Sequence, residues 1–364
     1  MRSRSLFLFL LVANATESSP MTTSAAIERY PPQKIVNYPT LGNEDGGSLF
    51  LYGDARAQNV ALVSPGFPDD HSVFLPFASR LASETDTLVG VTCLPGYDVK
   101  NWEDQRRAKP EGYNLDECAT ALREAAKALR AESECPSKPK IIGIFHDWAV
   151  MFGNMWANRA IEDRADYSPD ELVYFDVLPP VHPKMRNDLP AAPNRSIYQT
   201  FCGTYYQIVQ AISFIAQRYL GSAVGLVVYL LGYLPTVILP IGPLLKIDLD
   251  ILKISSLNHM LYMCYPYYHF WKTLLSFVLL GNKPGDDLFL PSDLKAVPLL
   301  FLFGSEKRAF FHSNQTVKFL QREKWEKKSK SNAIAMEGAG HWLYLQKADE
   351  CFDHVKNFMM NEKS

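Results

Sequence analysis

The feature that most constrains the fold is a series of short apolar runs, each closed by glycine, proline or a polar residue. A run of about four to eight apolar residues is typical of a strand that is buried on both faces. The runs are SLFLYGD (48–54), NVALVSPG (59–66), TLVGVTCLP (87–95), KIIGIF (140–145), ELVYFDVLPP (171–180), VPLLFLFGS (297–305) and NAIAMEG (332–338). Together they predict a sheet that is covered on both sides.

Segments with apolar residues at helical spacing lie between these runs. They cover residues 71–83, 115–129, 315–325 and 347–359, and Asn114 is placed to cap the second of them. A strand that is followed by a helix and then by another strand gives a parallel pair with a right-handed crossover. The chain is therefore predicted to form an α/β fold with a mostly parallel, doubly wound sheet.

One long block interrupts the alternation of strands and helices. Residues 181–290 are aromatic-rich and helical in pattern, with no strand-like punctuation, which indicates a helical lid inserted into the sheet fold. Within it, residues 219–245 carry no charged side chain and are long enough to span a bilayer. Pro235, Pro240 and Pro243 argue against one continuous spanning helix. We expect an apolar lid that lines a lipid-sized pocket or contacts a membrane surface.

The N-terminus resembles a targeting segment. Arg2 and Arg4 precede the apolar run 6–13, and Ala13-Asn14-Ala15 has the small-x-small form of a cleavage site. Residues 1–15 are therefore predicted to be a signal peptide that directs the chain to the secretory pathway or an organelle. An uncleaved anchor, or a longer organelle leader that ends near Met21, is the alternative. The expected division of the chain is a signal peptide (1–15), a leader (16–44), a first core part (45–180), a lid (181–290) and a second core part (291–364).

Charge and cysteine content narrow the range of partners. The net charge of -2 gives no electrostatic reason to expect binding to nucleic acid. The six cysteines are widely spaced, without the paired spacing of a zinc site or a small disulfide scaffold. No metal or organic cofactor is implied by the sequence.

The stretch KIIGIFHDWAVMFGNMWA (140–157) places Asp147 where a buried strand ends and a helix begins. Ligands of open α/β sheets bind at this edge, and the N-terminus of the next helix stabilises an anion. Asp147 could therefore be a catalytic carboxylate. It could instead be a buried carboxylate that merely caps the helix starting near Trp148.

Several motifs resemble those of the epoxide hydrolases and haloalkane dehalogenases of the α/β-hydrolase superfamily. HDWA (146–149) is similar to their nucleophile elbow, PGFPDDHSVFLPFASRLA (65–82) to their oxyanion loop and first helix, and GAGHWLYLQKADE (338–350) to their C-terminal histidine loop. The resemblance covers residues 45–180 and 290–360 and leaves the lid unmatched. It implies the α/β-hydrolase fold.

The resemblance also implies catalytic roles. Asp147 would be the nucleophile, His341 would activate water, and the backbone N–H groups of Phe67 and Trp148 would hold the oxyanion. An aspartate forms an ester that water can cleave, whereas a serine attached to an alkyl carbon would form a stable ether. A carboxylate nucleophile therefore indicates attack on an sp3 carbon, as in an epoxide or alkyl halide.

The acid that orients His341 has two candidates. Arg308 occupies the position after the seventh strand where the resemblance would place an aspartate. Asp176, at the end of the sixth strand, matches the dehalogenase arrangement and is the first candidate, with Glu306 as the alternative. Asp176 could also serve only as a cap or as an anchor for the lid.

The resemblance favours an epoxide as the substrate, because Phe67 occupies a position where dehalogenases carry asparagine. Relatives of this kind supply two lid tyrosines as proton donors, for which we select Tyr206 in GTYYQIV and Tyr267 in CYPYYHF among many lid tyrosines. The expected partner is an apolar, lipid-like small molecule.

Two alternatives remain open at the level of sequence. One is a haloalkane dehalogenase or an esterase. The other is a non-catalytic lipid-binding or membrane-associated protein with a hydrolase fold. The departures from the family pattern at Pro65, Phe145, Val150 and Arg308 keep this second alternative open.

Overall fold

The structure is a computed structural model that describes residues 23–40, 43–191, 197–238, 256–306, 312–326 and 328–360. The predicted signal peptide (1–15) lies outside the described residues, as do Arg308 and the end of the uncharged stretch, residues 239–245.

The described strands form one eight-stranded sheet in the order β1-β2-β4-β3-β5-β6-β7-β8. The first two strands pair antiparallel with their neighbours, and all other pairs are parallel. The strands are β1 (Lys34–Thr40), β2 (Asn43–Tyr52), β3 (Asn59–Ser64), β4 (Thr87–Val91), β5 (Lys140–His146), β6 (Glu171–Phe175), β7 (Leu299–Gly304) and β8 (Asn332–Met336).

All seven apolar runs are strands, which confirms the predicted α/β class. The inner strands β4 and β6 are buried at every position, as expected for a sheet that is covered on both faces.

The sheet begins earlier than the expected core boundary at residue 45. Strand β1 lies within the segment that was assigned to the leader, and it pairs with β2 from Lys34 to Thr40. Its burial alternates and most of its residues are at least partly exposed, because it lies at the edge of the sheet. Its sequence, KIVNYPT, has no continuous apolar run, so the sequence pattern did not show it, whereas the other edge strand, β8, was predicted from NAIAMEG.

Helices cover both faces of the sheet. On one face, α4 and α5 contribute to a core with the inner side of the lid, and on the other α2 and α12 pack against the remaining strand residues. Asn114 caps α4 in a reciprocal bond with Glu117, as predicted. The core helices are α1 (Thr23–Arg29), α2 (Leu75–Glu84), α3 (Trp102–Ala108), α4 (Leu115–Glu132), α5 (Trp148–Glu162), α10 (Asn314–Trp325), α11 (Leu343–Gln346) and α12 (Ala348–Met360).

Four α-helices lie between β6 and β7 in the part of the chain that the structure describes, in the segment predicted to be the lid. They are α6 (Ile197–Leu220), α7 (Ser222–Ile238), α8 (Leu257–Tyr262) and α9 (Tyr265–Leu280). The uncharged stretch that starts at Tyr219 is not one helix, because Gly221 has a φ of 96° and separates α6 from α7. Among the described residues, no helix is both long enough and apolar enough to cross a membrane.

Candidate active site

Asp147 occupies a sharp turn between β5 and α5. Its backbone lies at φ 52° and ψ −126°, a conformation that costs a non-glycine residue about 1–3 kcal/mol. Gly66 of the oxyanion loop lies against this turn, since a Cβ atom there would be 2.3 Å from the backbone nitrogen of Trp148. Strain of this kind is typical of a nucleophile elbow, which exposes the side chain at the upper edge of the sheet.

The bulky residues beside Asp147 are accommodated by the elbow. A Cβ atom at Gly153 would lie 2.4 Å from the ring of Phe145, and one at Gly143 would lie 2.6 Å from it. These two glycines provide the space that the Phe145 ring occupies. Val150 is buried, and its backbone N–H donates to the carbonyl of Asp147 at 3.0 Å. The tight turn is therefore retained despite both departures.

The two carboxylate oxygens of Asp147 have different surroundings. The backbone N–H of Phe67 donates to Oδ1 at 2.8 Å. Oδ2 lies 3.6 Å from Nε2 of His341. The Asp147 side chain lies in a mostly enclosed site, with 9% of its surface exposed. The predicted nucleophile, base and one oxyanion donor therefore lie together, and Trp148, whose backbone N–H is the other predicted donor, begins α5 directly after Asp147.

Asp176 is the carboxylate that contacts His341. Nδ1 of His341 and Oδ2 of Asp176 form a direct hydrogen bond. Asp176 is fully buried directly after β6, has a φ of 68°, and its backbone N–H donates to the carbonyl of Leu302 at 2.8 Å. Glu306 is exposed, and its backbone N–H donates to the carbonyl of Ala339. The geometry therefore favours Asp176 over Glu306 as the third member.

The two selected lid tyrosines meet directly above the elbow. The hydroxyl oxygens of Tyr206 on α6 and Tyr267 on α9 are 2.9 Å apart. The Tyr267 ring meets Trp148 edge-to-face at a centroid distance of 5.0 Å, and Phe67 at 5.4 Å. Tyr267 therefore packs against Trp148, which follows Asp147 in the chain, and against Phe67, whose backbone N–H donates to Asp147.

Both hydroxyls are held in the protonated state. Burial raises the pKa of Tyr206 and of Tyr267 well above the ordinary value of 10.0, and the negative charge of Asp147 raises both further. A neutral phenol can donate a hydrogen bond or a proton to a substrate oxygen.

Asp69 is a residue of the site that sequence reasoning missed. It is fully buried, and its Oδ2 accepts from the indole N–H of Trp342 at 2.8 Å and from the hydroxyl of Tyr344 at 3.2 Å. Burial raises its pKa to about 7 against the opposing effect of these donors. Asp69 thus joins the oxyanion loop to the histidine loop, and the doubled carboxylate in PGFPDD was the available signal.

His146 adds a second contact behind His341, the predicted base. Its Nε2 lies 3.2 Å from the carbonyl oxygen of His341, and the two rings have centroids 4.5 Å apart. Within the described residues, His146, Asp176 and His341 have potential metal-ligand atoms within 4.8 Å of one another. Nδ1 of His341 is hydrogen-bonded to Asp176, and Nε2 of His146 is hydrogen-bonded to the carbonyl oxygen of His341. The three residues therefore form a hydrogen-bonded network.

No protein-family model and no curated protein sequence matches the chain. Solved structures do. An epoxide hydrolase from metagenomes of hot environments is 14% identical, with a TM-score of 0.55 over 90% of this chain and 98% of that one. A mutant of potato epoxide hydrolase is 12% identical, with a TM-score of 0.52 over 90% and 98% of the two chains. A laboratory-evolved potato variant is 14% identical, with a TM-score of 0.51 over 90% and 99%. Likeness at such low identity establishes the architecture alone, and the chain therefore has the α/β-hydrolase fold.

Proposed function

We propose that the protein is a hydrolase that opens epoxides through an ester formed on Asp147. The observation that carries the proposal is the arrangement of the Asp147 carboxylate, with Oδ1 held by the N–H of Phe67 and Oδ2 facing His341. The epoxide hydrolase structures that share this fold support the same class of reaction.

In the first step, Oδ2 of Asp147 attacks an epoxide carbon, and the bond from that carbon to the epoxide oxygen breaks. The departing oxygen takes a proton from the pair Tyr206 and Tyr267, whose hydroxyls lie together above the elbow. The products of this step are an alkyl ester on Asp147 and a phenolate shared by the two tyrosines.

In the second step, Nε2 of His341 takes a proton from water, and the resulting hydroxide attacks the carboxyl carbon of Asp147. The oxyanion that forms on Oδ1 receives the N–H of Phe67 and, by the proposed assignment, that of Trp148. The intermediate then collapses: the bond from the carboxyl carbon to the alkoxide oxygen breaks, and that oxygen takes the proton held by His341, so that the diol leaves. The new carboxyl group loses its proton through solvent to the phenolate, which restores the Asp147 carboxylate and both phenols. Asp176 orients His341 and stabilises its charged form.

The pair of phenols favours an epoxide over the alternatives. An epoxide oxygen stays attached to the product and must be protonated, whereas a halide leaves as a stable anion and needs no proton. Two hydroxyls 2.9 Å apart over the nucleophile suit the former reaction. The alternative of a non-catalytic protein loses support, because the glycines beside Phe145 allow the elbow to form.

The side chains around the elbow support an apolar substrate. Trp148 lies between Tyr267 and Phe270, with ring centroids 5.0 Å and 5.9 Å away, and Phe67 contacts Tyr267 from the oxyanion loop. An aromatic enclosure of this kind stabilises apolar ligands through burial. A lipid-like epoxide is the proposed substrate class.

The location of the protein is a separate proposal that depends on sequence. The basic and apolar residues 1–15 support entry into the secretory pathway or an organelle. The uncharged residues 219–245 support contact with a membrane surface. Protease protection in isolated organelles tests the first part, because a chain degraded without detergent would contradict it.

A substrate panel tests the reaction class. Purified protein is incubated with long-chain epoxides, haloalkanes and short esters, beside the Asp147→Asn variant as the matched control. The expected result is diol formation from epoxides by the unaltered protein alone. Halide release or ester cleavage in place of diol formation would reject the epoxide assignment, and no turnover on any panel would favour a binding protein.

A further inference from the structure

Exposed apolar side chains are concentrated on the lid. Outside the lid, the described residues expose only Ile35, Trp325 and Met360 among their large hydrophobic side chains. The lid exposes one stripe on α6 and another on α7, each at helical spacing, and α9 exposes Leu275, Val278, Leu279 and Leu280 near its C-terminal end. The stripes are Ile208, Ile212, Ile215 and Tyr219 on α6 and Val224, Val227, Leu230 and Leu231 on α7.

The same helices carry almost no charge. In the described lid helices, 197–238 and 257–280, Arg218 and Lys272 are the charged side chains apart from histidines, and both are cationic. A solvent-facing helix ordinarily carries acidic and basic residues on its outer face. Two exposed apolar stripes without a carboxylate are suited to bind a partner that has an apolar interior and a neutral or anionic outer layer.

The inner face of α7 is built for close contact with α6. A Cβ atom at Gly232 would lie 2.6 Å from a methyl group of Val209, and one at Gly225 would lie 2.7 Å from Cβ of Gln217. These small residues face α6, while the apolar stripe of α7 is exposed on its outer side. The two helices therefore form one compact unit, which we call the α6–α7 hairpin (197–238).

We propose that the α6–α7 hairpin docks in the plane of a phospholipid bilayer surface through its two apolar stripes. The guanidinium of Arg218 lies over the ring of Tyr219 at 4.9 Å, at the turn of the hairpin, and cationic and aromatic side chains are favoured at the level of lipid headgroups. The contact therefore extends from residues 219–231 back along α6. It does not depend on the proposed reaction.

A phospholipid surface is a better partner for these stripes than a protein. Protein interfaces combine an apolar centre with a polar and charged rim on the same helices, whereas the hairpin offers a single cation. Interfacial helices bury an apolar face in the boundary between headgroups and acyl chains, and added cations strengthen binding to anionic lipid.

Vesicle sedimentation with the full chain tests the docking, without substrate. The vesicles are phosphatidylcholine with and without phosphatidylglycerol. The hairpin variants are Val227→Glu with Leu231→Glu, and Ile212→Glu with Ile215→Glu. The matched control is Trp325→Glu with Met360→Glu, which adds the same charge at exposed apolar positions outside the lid. Circular dichroism verifies that each variant is folded.

We expect either hairpin variant to lower the vesicle partition coefficient about tenfold or more, while the control variant binds as the unaltered protein does. Equal binding by all variants would overturn the proposal, as would no binding by the unaltered protein. Light scattering tests the alternative that the stripes bind a second copy of the chain. If the unaltered protein is a dimer that the hairpin variants dissociate, and it does not bind vesicles, the stripes form a dimer interface and the lipid proposal is rejected.

Discussion

The two halves of the lid differ in how they are held. Helices α8 and α9 are joined to the core segment 95–111 by side chains that bond to backbone carbonyls. The bonds are His259 Nε2 to Gly96 (2.9 Å), Tyr262 to Lys109 (2.9 Å), Tyr265 to Pro95 (2.9 Å), His269 Nε2 to Glu111 (2.9 Å) and, from the core side, Tyr97 to Met263 (2.7 Å). We call helices α8 and α9 the anchored half.

The α6–α7 hairpin is joined to the anchored half instead. Gln217 donates to the carbonyl of Asn258 at 2.9 Å, the thiol of Cys264 donates to Gln210, and the hydroxyls of Tyr206 and Tyr267 meet. The proposed acid pair therefore spans the junction between the half fixed to the core and the α6–α7 hairpin. In the proposed mechanism, protonation of the epoxide oxygen therefore depends on the contact between the two halves.

The largest effect is expected from removing both members of the pair. Tyr206→Phe combined with Tyr267→Phe should slow ester formation by about 10⁴-fold, because the departing oxygen loses its acid, and each single change should cost about 10²-fold. Rapid-mixing fluorescence of the first turnover measures this step. Tyr205→Phe is the matched control, because the Tyr205 hydroxyl bonds to Gly232 within the hairpin. If the double variant forms the ester at the normal rate, the contact between the two halves of the lid has no role in ester formation.

A smaller loss of rate is expected from a change in the core, and it concerns the second step, hydrolysis of the ester. Asp176→Asn should slow ester hydrolysis on the order of 10³-fold, because Asp176 holds His341 and stabilises its charge. Glu306→Gln is the matched control and should have little effect. Single-turnover decay of the ester measures the step, and equal losses in the two variants would reject the assignment of Asp176.

The sequence and the structure agree where local patterns determine the outcome. Continuous apolar runs revealed seven strands, including the edge strand β8, whereas the edge strand β1 alternates in burial and was missed. Asp147, His341 and Asp176 were identified through resemblance. Their contacts join residues far apart in the chain, so the spacing of neighbouring residues does not predict them.

Two features of the site needed three-dimensional information. Phe145 was a departure from the family pattern, and only the close approach of Gly143 and Gly153 to its ring explains how the turn accommodates it. Asp69 stood in a quoted motif, but its bonds to Trp342 and Tyr344 depend on two loops that meet only in the folded chain.

Because the anchored half is bonded to the core and the hairpin is bonded to the anchored half, loss of a bond in the anchored half should lower the free energy of unfolding more than loss of a bond in the hairpin. Tyr265→Phe leaves the buried carbonyl of Pro95 without its donor and should lower the free energy of unfolding by about 1–3 kcal/mol. Tyr205→Phe removes a half-buried bond inside the hairpin and should cost about 0.5–1.5 kcal/mol. Urea unfolding measures both, and a larger loss for the hairpin variant would reverse the comparison.

The smallest effect concerns the pH dependence of stability that the anchored half contributes. Burial lowers the pKa of His259 and of His269 below the ordinary 6.5, so the folded state favours their neutral forms. The stability they contribute is complete above about pH 6.5, where both the folded and unfolded chains carry neutral histidines, and falls as the pH drops below that value. His259→Gln should therefore reduce the decrease in Tm between pH 7.5 and 5.5. His354→Gln, in α12, is the control, and an identical pH dependence in both variants would contradict the account.

The central claim is that Asp147 forms an ester with the substrate, and isotope incorporation tests it most directly. Excess protein is reacted for a single turnover with a long-chain epoxide in heavy-oxygen water, then digested for mass spectrometry of the peptide that contains Asp147. Because hydroxide attacks the carboxyl carbon, the heavy oxygen should appear in the Asp147 carboxylate. Diol that carries the label while the Asp147 peptide stays unlabelled would contradict the mechanism.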